Sequence, residues 1–121
     1  MVDLPHAFAL YNESWNEPDP QRRDVLLERC VSDDVVFADP VAVTHGRDAL
    51  AAHITDNHAQ MPGASYDLVS GIDGGHDRRY RYRWIVRFDD ADFIEGMDFT
   101  TLDADGRIAR IDGFFGDFPT D

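Results

Sequence analysis

At 121 residues, with eleven basic against twenty-four acidic side chains and a formal charge of −13, the chain has room for one domain and one core, expected to span residues 1–121. That charge repels phosphate backbones and anionic headgroups, so nucleic acid and membrane surfaces are excluded as expected partners. The single cysteine, Cys30, excludes an internal disulfide, and Met-Val-Asp-Leu-Pro-His lacks the basic and apolar regions of a signal peptide, so a cytoplasmic location is expected.

In chain order, residues 3 to 15 place Leu4, Ala7, Phe8, Tyr11 and Trp15 at helical spacing, which predicts a first amphipathic helix. Tyr11 is then either a core residue satisfied by backbone or a donor aimed into a cavity. Asn16-Glu17-Pro18-Asp19-Pro20 ends that helix, and Asp19 before Pro20 predicts the cap of a second one running to about Cys30. Its expected apolar side is Val25, Leu26 and Cys30, with Arg22, Arg23, Glu28 and Arg29 toward water.

Residues 33 to 50 carry the most unusual placement. Alternation puts Val35, Phe37 and Asp39 on one strand face, so a carboxylate ends an apolar row, and Pro40 holds that residue extended where the strand stops. Asp39 is either a turn-forming residue or a proton-transfer group whose pKa burial would raise. After a connection over 41 to 45, His45-Gly46-Arg47 opens a third helix to about Gln60. On it His53 points with Leu50, Ile54, Asn57 and Met61, as a core histidine or as a group tuning a site.

From residue 65 the pattern becomes strands, at 65 to 72, 78 to 88, 93 to 102 and 107 to 115. They are separated by hairpin-length turn signals at Gly74-Gly75, Asp89-Asp90-Ala91-Asp92 and Asp103-Ala104-Asp105-Gly106. In the second, Tyr80, Tyr82, Trp84, Val86 and Phe88 alternate with outward Arg79, Arg81, Arg83 and Arg87. In the third, Asp98 shares a face with Ile94, Gly96, Thr100 and Leu102. The opposite face of the sheet would carry Phe93, Met97, Phe99 and Phe114. That patch is too large for a comfortable monomer and predicts a homodimer through the sheet.

Gly71-Ile72-Asp73-Gly74-Gly75-His76 joins strands without opening a helix, so it is no phosphate loop. His53 and His58 do not share a helix face, which argues against a metal pair, and neither Cys30 nor any serine has a recognisable elbow or paired base. Three polar groups remain on inner faces: Tyr11, Asp39 and Asp98. A pocket lined by Trp15, Phe37, Tyr80, Tyr82, Trp84, Ile111 and Phe115 around them would suit an apolar small molecule, with no cofactor or metal expected. A non-catalytic binder of apolar ligands, or a dimerisation module whose cone is closed by packing, is the competing expectation.

The stretches Asp33-Asp34-Val35-Val36-Phe37-Ala38-Asp39-Pro40, His45-Gly46-Arg47-Asp48 through Ala52, and Asp98-Phe99-Thr100-Thr101-Leu102-Asp103-Ala104-Asp105-Gly106-Arg107-Ile108 resemble ketosteroid isomerase and the SnoaL-like polyketide cyclases. Both belong to the nuclear-transport-factor-2-like superfamily, and the resemblance covers nearly the whole chain. It implies an α+β fold, a cone of strongly curved antiparallel sheet packed against three N-terminal helices and enclosing an apolar pocket. It also implies roles: Asp39 as the base, Asp98 as the protonated oxyanion-hole acid, and Tyr11, by its spacing to Asn16, as the oxyanion-hole tyrosine. His53 stands where the isomerase pattern has an aromatic residue, which would bring a titratable ring near Asp39. The implied activity is proton transfer next to a carbonyl, as an isomerase or a cyclase. An epoxide hydrolase of this superfamily would need an arginine between two inward acids, and the strand arginines face outward.

Overall fold

The computed structural model describes residues 6–120, so Leu4 of the expected first helix lies outside the described residues. Helices α1 (His6–Asn16) and α2 (Pro20–Cys30) lead into β1 (Val31–Ala38) and the short β2 (Val43–His45), and α3 (Arg47–Gln60) follows. The remainder is sheet: β3 (Ser65–Leu68), β4 (Asp73–Gly74), β5 (Arg79–Phe88), β6 (Ala91–Leu102) and β7 (Ile108–Phe115), with one 3-10 turn at His76–Arg78. Strand β2 falls inside the segment expected to be a plain connection. It forms because the turn after Asp39 folds Val43–His45 back onto Ala38–Val36.

Helix α2 starts as its sequence predicts, with the Asp19 carboxylate accepting the Gln21 N–H at 3.0 Å. Its buried side differs from expectation. Arg23, Leu27 and Cys30, at i, i+4 and i+7, face inward, and Val25 is 57% exposed. Arg23 lies inside because Nε and Nη2 donate to the Glu17 carbonyl at 3.2 and 2.8 Å, and Nη1 donates to the Thr55 hydroxyl at 2.6 Å. A buried cation persists only when its donors are met in this way.

The sheet runs in the order β2-β1-β7-β6-β5-β3, with β4 also paired to β5. Every pairing is antiparallel, as the turns predict, except β1 with β7, so the sheet is mixed. A parallel partner needs a long crossover, here α3 and the whole meander. Hairpin signals report only neighbours in sequence, so this pairing left no local mark.

One inward shift follows from a bulge. Val86 pairs with Ile94 while Arg87 pairs with Asp92, leaving Phe93 as the extra residue. A bulge re-aims the side chain it inserts. Phe93 accordingly packs its ring 6.3 Å from inward-facing Phe88 and lines the cavity rather than joining the outer patch.

Leu27, Cys30, Val31, Val35, Leu50, Ile54, Ile108 and Ile111 are fully buried where the helices meet the start of β1 and β7. Each large aliphatic side chain there contributes roughly 1.5–3 kcal/mol. This core closes one end of the cone. A cavity lies away from it, bordered by Asp39, Val86, Phe88, Phe93 and Phe115.

Candidate active site

The cavity has a volume of about 630 Å³, in the range of small-molecule sites. Helices α1 and α3 supply Phe8, Tyr11, Trp15, His53 and Asn57, and the sheet supplies Phe37, Asp39, Tyr82, Trp84, Asp98 and Phe115. Nine of the eleven sequence-predicted site residues therefore meet here: Tyr11, Asp39, His53, Asp98, Trp15, Phe37, Tyr82, Trp84 and Phe115. The other two do not. Ile111 is fully buried in the core, and Tyr80 packs edge-on against Phe8 at 5.1 Å and borders a separate smaller hollow.

Strand register explains the arrangement. Tyr82 pairs with Asp98, Asp98 pairs with Gly113, and the β1–β7 ladder ends one step short of Asp39, at Ala38 opposite Asp112. Tyr82, Asp98, Gly113 and Asp39 thus form one inner-face row across four strands. A Cβ placed on Gly113 would stand 2.9 Å from Asp98 Oδ1 and 3.3 Å from Asp39 Cβ. The gap left by that missing side chain lies between Asp98 Oδ1 and Asp39 Cβ.

Asp98 is 8% exposed and uses both oxygens. The Trp84 indole donates to Oδ1 at 2.9 Å, and the Tyr82 hydroxyl donates to Oδ2 at 3.1 Å. Gly96 makes the first bond possible, because a Cβ there would meet the Trp84 ring at 2.5 Å and the Phe114 carbonyl oxygen. Burial pushes the Asp98 carboxyl up to about 7. The bonds from Trp84 and Tyr82 pull the other way, and the charges of Asp39 and Asp112 add to the rise.

Asp39 is held differently. It is half-buried, and its Oδ1 accepts the backbone N–H groups of Val41 and Ala42, both at 2.9 Å. Its own N–H donates to the Ala42 carbonyl at 2.9 Å. Turn-forming residue and cavity carboxylate are therefore one residue, and the turn is what makes it rigid.

Tyr11 is 4% exposed, and its hydroxyl is sealed from solvent with no hydrogen-bond partner. The Trp15 side chain approaches it at a geometry short of a hydrogen bond. Burial, then the Asp98 charge, raise its pKa well above the ordinary phenol value, so it stays a donor. Such an orphan donor costs about 1–3 kcal/mol until something accepts from it. His53 bonds Asn57 rather than Asp39, with Nε2 at 3.3 Å from the Asn57 amide nitrogen, and its ring packs 5.3 Å from Phe37 and 6.0 Å from Trp15.

Two roles escaped sequence reasoning. Tyr82 and Trp84 read only as pocket lining, yet they are the donors to Asp98. Gly96 and Gly113 read only as strand positions, although an inward glycine in a strand signals a close approach.

The arginines Arg79, Arg81, Arg83 and Arg87 are all exposed, so no strand cation lies between the acids. Among the described residues no helix is long and apolar enough to cross a membrane.

With the geometry in place, comparison defines the class. The SnoaL-like domain matches residues 8–111, and the chain belongs to that family. A SnoaL-like protein from Agrobacterium tumefaciens str. C58, described as a candidate isomerase, is 27% identical over 93% of this chain and 96% of its own, with a TM-score of 0.86. An NTF2-like protein of unknown function from Exiguobacterium sp. 255-15 is 21% identical over 93% of this chain and 99% of its own, at TM-score 0.76. A candidate polyketide cyclase from Sinorhizobium meliloti is 22% identical over 92% and 95%, at TM-score 0.70. The last two share the fold alone. No curated protein matches the chain.

Proposed function

We propose that this SnoaL-like protein is an enzyme that moves a proton next to a carbonyl group of an apolar small molecule. The observation that carries the reading is the pair of inward acids in one aromatic cavity, Asp98 pushed up to about 7 and Asp39 on a rigid turn. Asp39 takes the proton from the carbon beside the carbonyl, and the electron pair moves into the enolate. Tyr11 and neutral Asp98 donate to the enolate oxygen, stabilising charge only as it develops. Asp39 then returns the proton to another carbon of the same molecule, so atoms and electrons balance within the substrate. The same abstraction followed by carbon–carbon bond formation is the cyclase form of this chemistry. The candidate isomerase from Agrobacterium is the relative whose description agrees with it.

A second reading, a non-catalytic binder, has one observation in its favour: the Tyr11 hydroxyl is sealed from solvent, so a ligand oxygen does not reach it in this arrangement. Ultraviolet absorbance of a β,γ-unsaturated ketosteroid, with a phenolic steroid as competitor, separates the two. Formation of the conjugated enone, lost in Asp39→Asn, supports the enzyme. Binding of the phenol with no enone supports the binder.

We further propose pairing of two copies through the outer sheet face. There Phe99 and Phe114 are 42% and 59% exposed and touch at 5.9 Å beside Met97. Light scattering should read a dimer that Phe114→Glu dissociates.

A further inference from the structure

We infer that Gly113 is a positioning residue: the space left by its missing side chain lets the Asp98 carboxyl sit close enough to Asp39 for the Asp39 charge to help hold the Asp98 proton. The inference rests on the acid–base reading of those two residues and extends it to a position that touches neither proton.

The glycine is not there for its backbone. Gly46, Gly63, Gly74, Gly75, Gly106 and Gly116 take positive φ at turns and element ends, but Gly113 does not, and any residue could adopt its strand conformation. A glycine inside a strand costs stability relative to alanine, so its retention at an inward position calls for a spatial reason. That reason is on either side of it, 2.9 Å from a notional Cβ to Asp98 Oδ1 and 3.3 Å to Asp39 Cβ. An alanine there would force Oδ1 aside, away from Asp39 and out of line with the Trp84 indole that donates to it.

The groups facing Asp98 leave Asp39 as its inner-face charged neighbour. Tyr82 and Trp84 approach from β5 and Tyr11 from α1, all uncharged. Asp112 lies on the other face of β7 and is ion-paired to Arg110 at 3.0 Å. His53 and the solvent-exposed Asp56 line the same cavity from α3, His53 with its hydrogen bond to Asn57. Across that gap the Asp39 charge adds to the hold on the Asp98 proton. Asp39 is fixed in place by two backbone N–H groups on Oδ1, and buried Asp98 keeps the proton.

The test is a carbon-13 carboxyl titration followed by magnetic resonance on the ligand-free protein, comparing native, Asp39→Asn, Gly113→Ala and the double variant. Asp39→Asn should lower the Asp98 midpoint from about 7 in the native background. In the Gly113→Ala background the same change should lower it by less than half as much, with the Trp84 indole N–H resonance displaced. An equal fall in both backgrounds overturns the inference. If Gly113→Ala does not fold, Asp39→Asn alone decides, and an unmoved Asp98 midpoint overturns it. None of these readings needs turnover. Intact coupling without enone formation would sink the enzyme reading alone, and enone formation without coupling would sink this one alone.

Discussion

Asp39 and Asp98 belong to the same inner-face row of side chains, yet the protein holds them by opposite means. Asp39 stands half-exposed where β1 turns, its Oδ1 fixed by two backbone N–H groups that no side-chain motion can withdraw. Asp98 stands buried in mid-strand, each oxygen held by a side-chain donor from β5. The difference teaches how one carboxyl type is given two duties: turn amides fix a carboxyl group in place near solvent, and burial favours an acid that keeps its proton.

The comparison breaks most visibly at Asp39. Asp39→Asn should lower turnover about 10²–10⁴-fold while a phenolic steroid still binds, because the amide keeps the turn and cannot take a proton. Asp98→Ala should lower it less, about 10²-fold, by removing one donor to the enolate oxygen. Equal losses at the two positions, read as kcat, would contradict the division of duties.

Stability against pH sharpens it next. Asp98 has a folded pKa of about 7, above the ordinary carboxylate value near 3.9 of an unfolded chain. The folded state therefore binds the proton more firmly. This stabilising linkage is complete below the unfolded value and is lost as pH rises to about 7. Relative to Asp98→Asn, the native chain should lose at most about 4 kcal/mol between pH 4 and pH 8. Urea unfolding of both proteins across that range checks the slope, and a constant difference would refute it. Trp84→Phe has a smaller effect of the same kind. It removes a hydrogen bond that favours the ionised acid, so the Asp98 midpoint should rise further, with a loss of about 1.5–3 kcal/mol at pH 8 and less at pH 5.

How far such a site can be read from sequence varies along the chain. The inward aim of Asp98, the rigid strand end at Asp39 and the cap at Asp19 were legible because each follows from local alternation or from a proline. The buried Arg23 was not, since its burial depends on the Glu17 carbonyl and on Thr55, 32 residues away. Nor was the parallel β1–β7 pairing, which brings Asp39 beside Gly113 and exists only once the meander has returned. Alternation puts Phe93 on the outer face, because it cannot foresee a one-residue bulge. Local pattern thus set the direction of Asp39 and Asp98, and long-range pairing set which side chains became their neighbours.

The smallest expected effect on the fold is at Tyr11, and it is informative for that reason. The hydroxyl is buried with nothing accepting from it, so Tyr11→Phe removes an unmet donor and leaves the ring packing of α1 against the sheet in place. Stability should stay level or rise by up to about 1 kcal/mol in urea unfolding, the reverse of what deleting a satisfied core hydroxyl does. Affinity for a phenolic steroid should fall in the same variant, because the ligand oxygen is then the partner the hydroxyl lacked. A clear loss of stability with unchanged affinity would assign Tyr11 to the core and leave Asp98 as the sole inward donor beside Asp39.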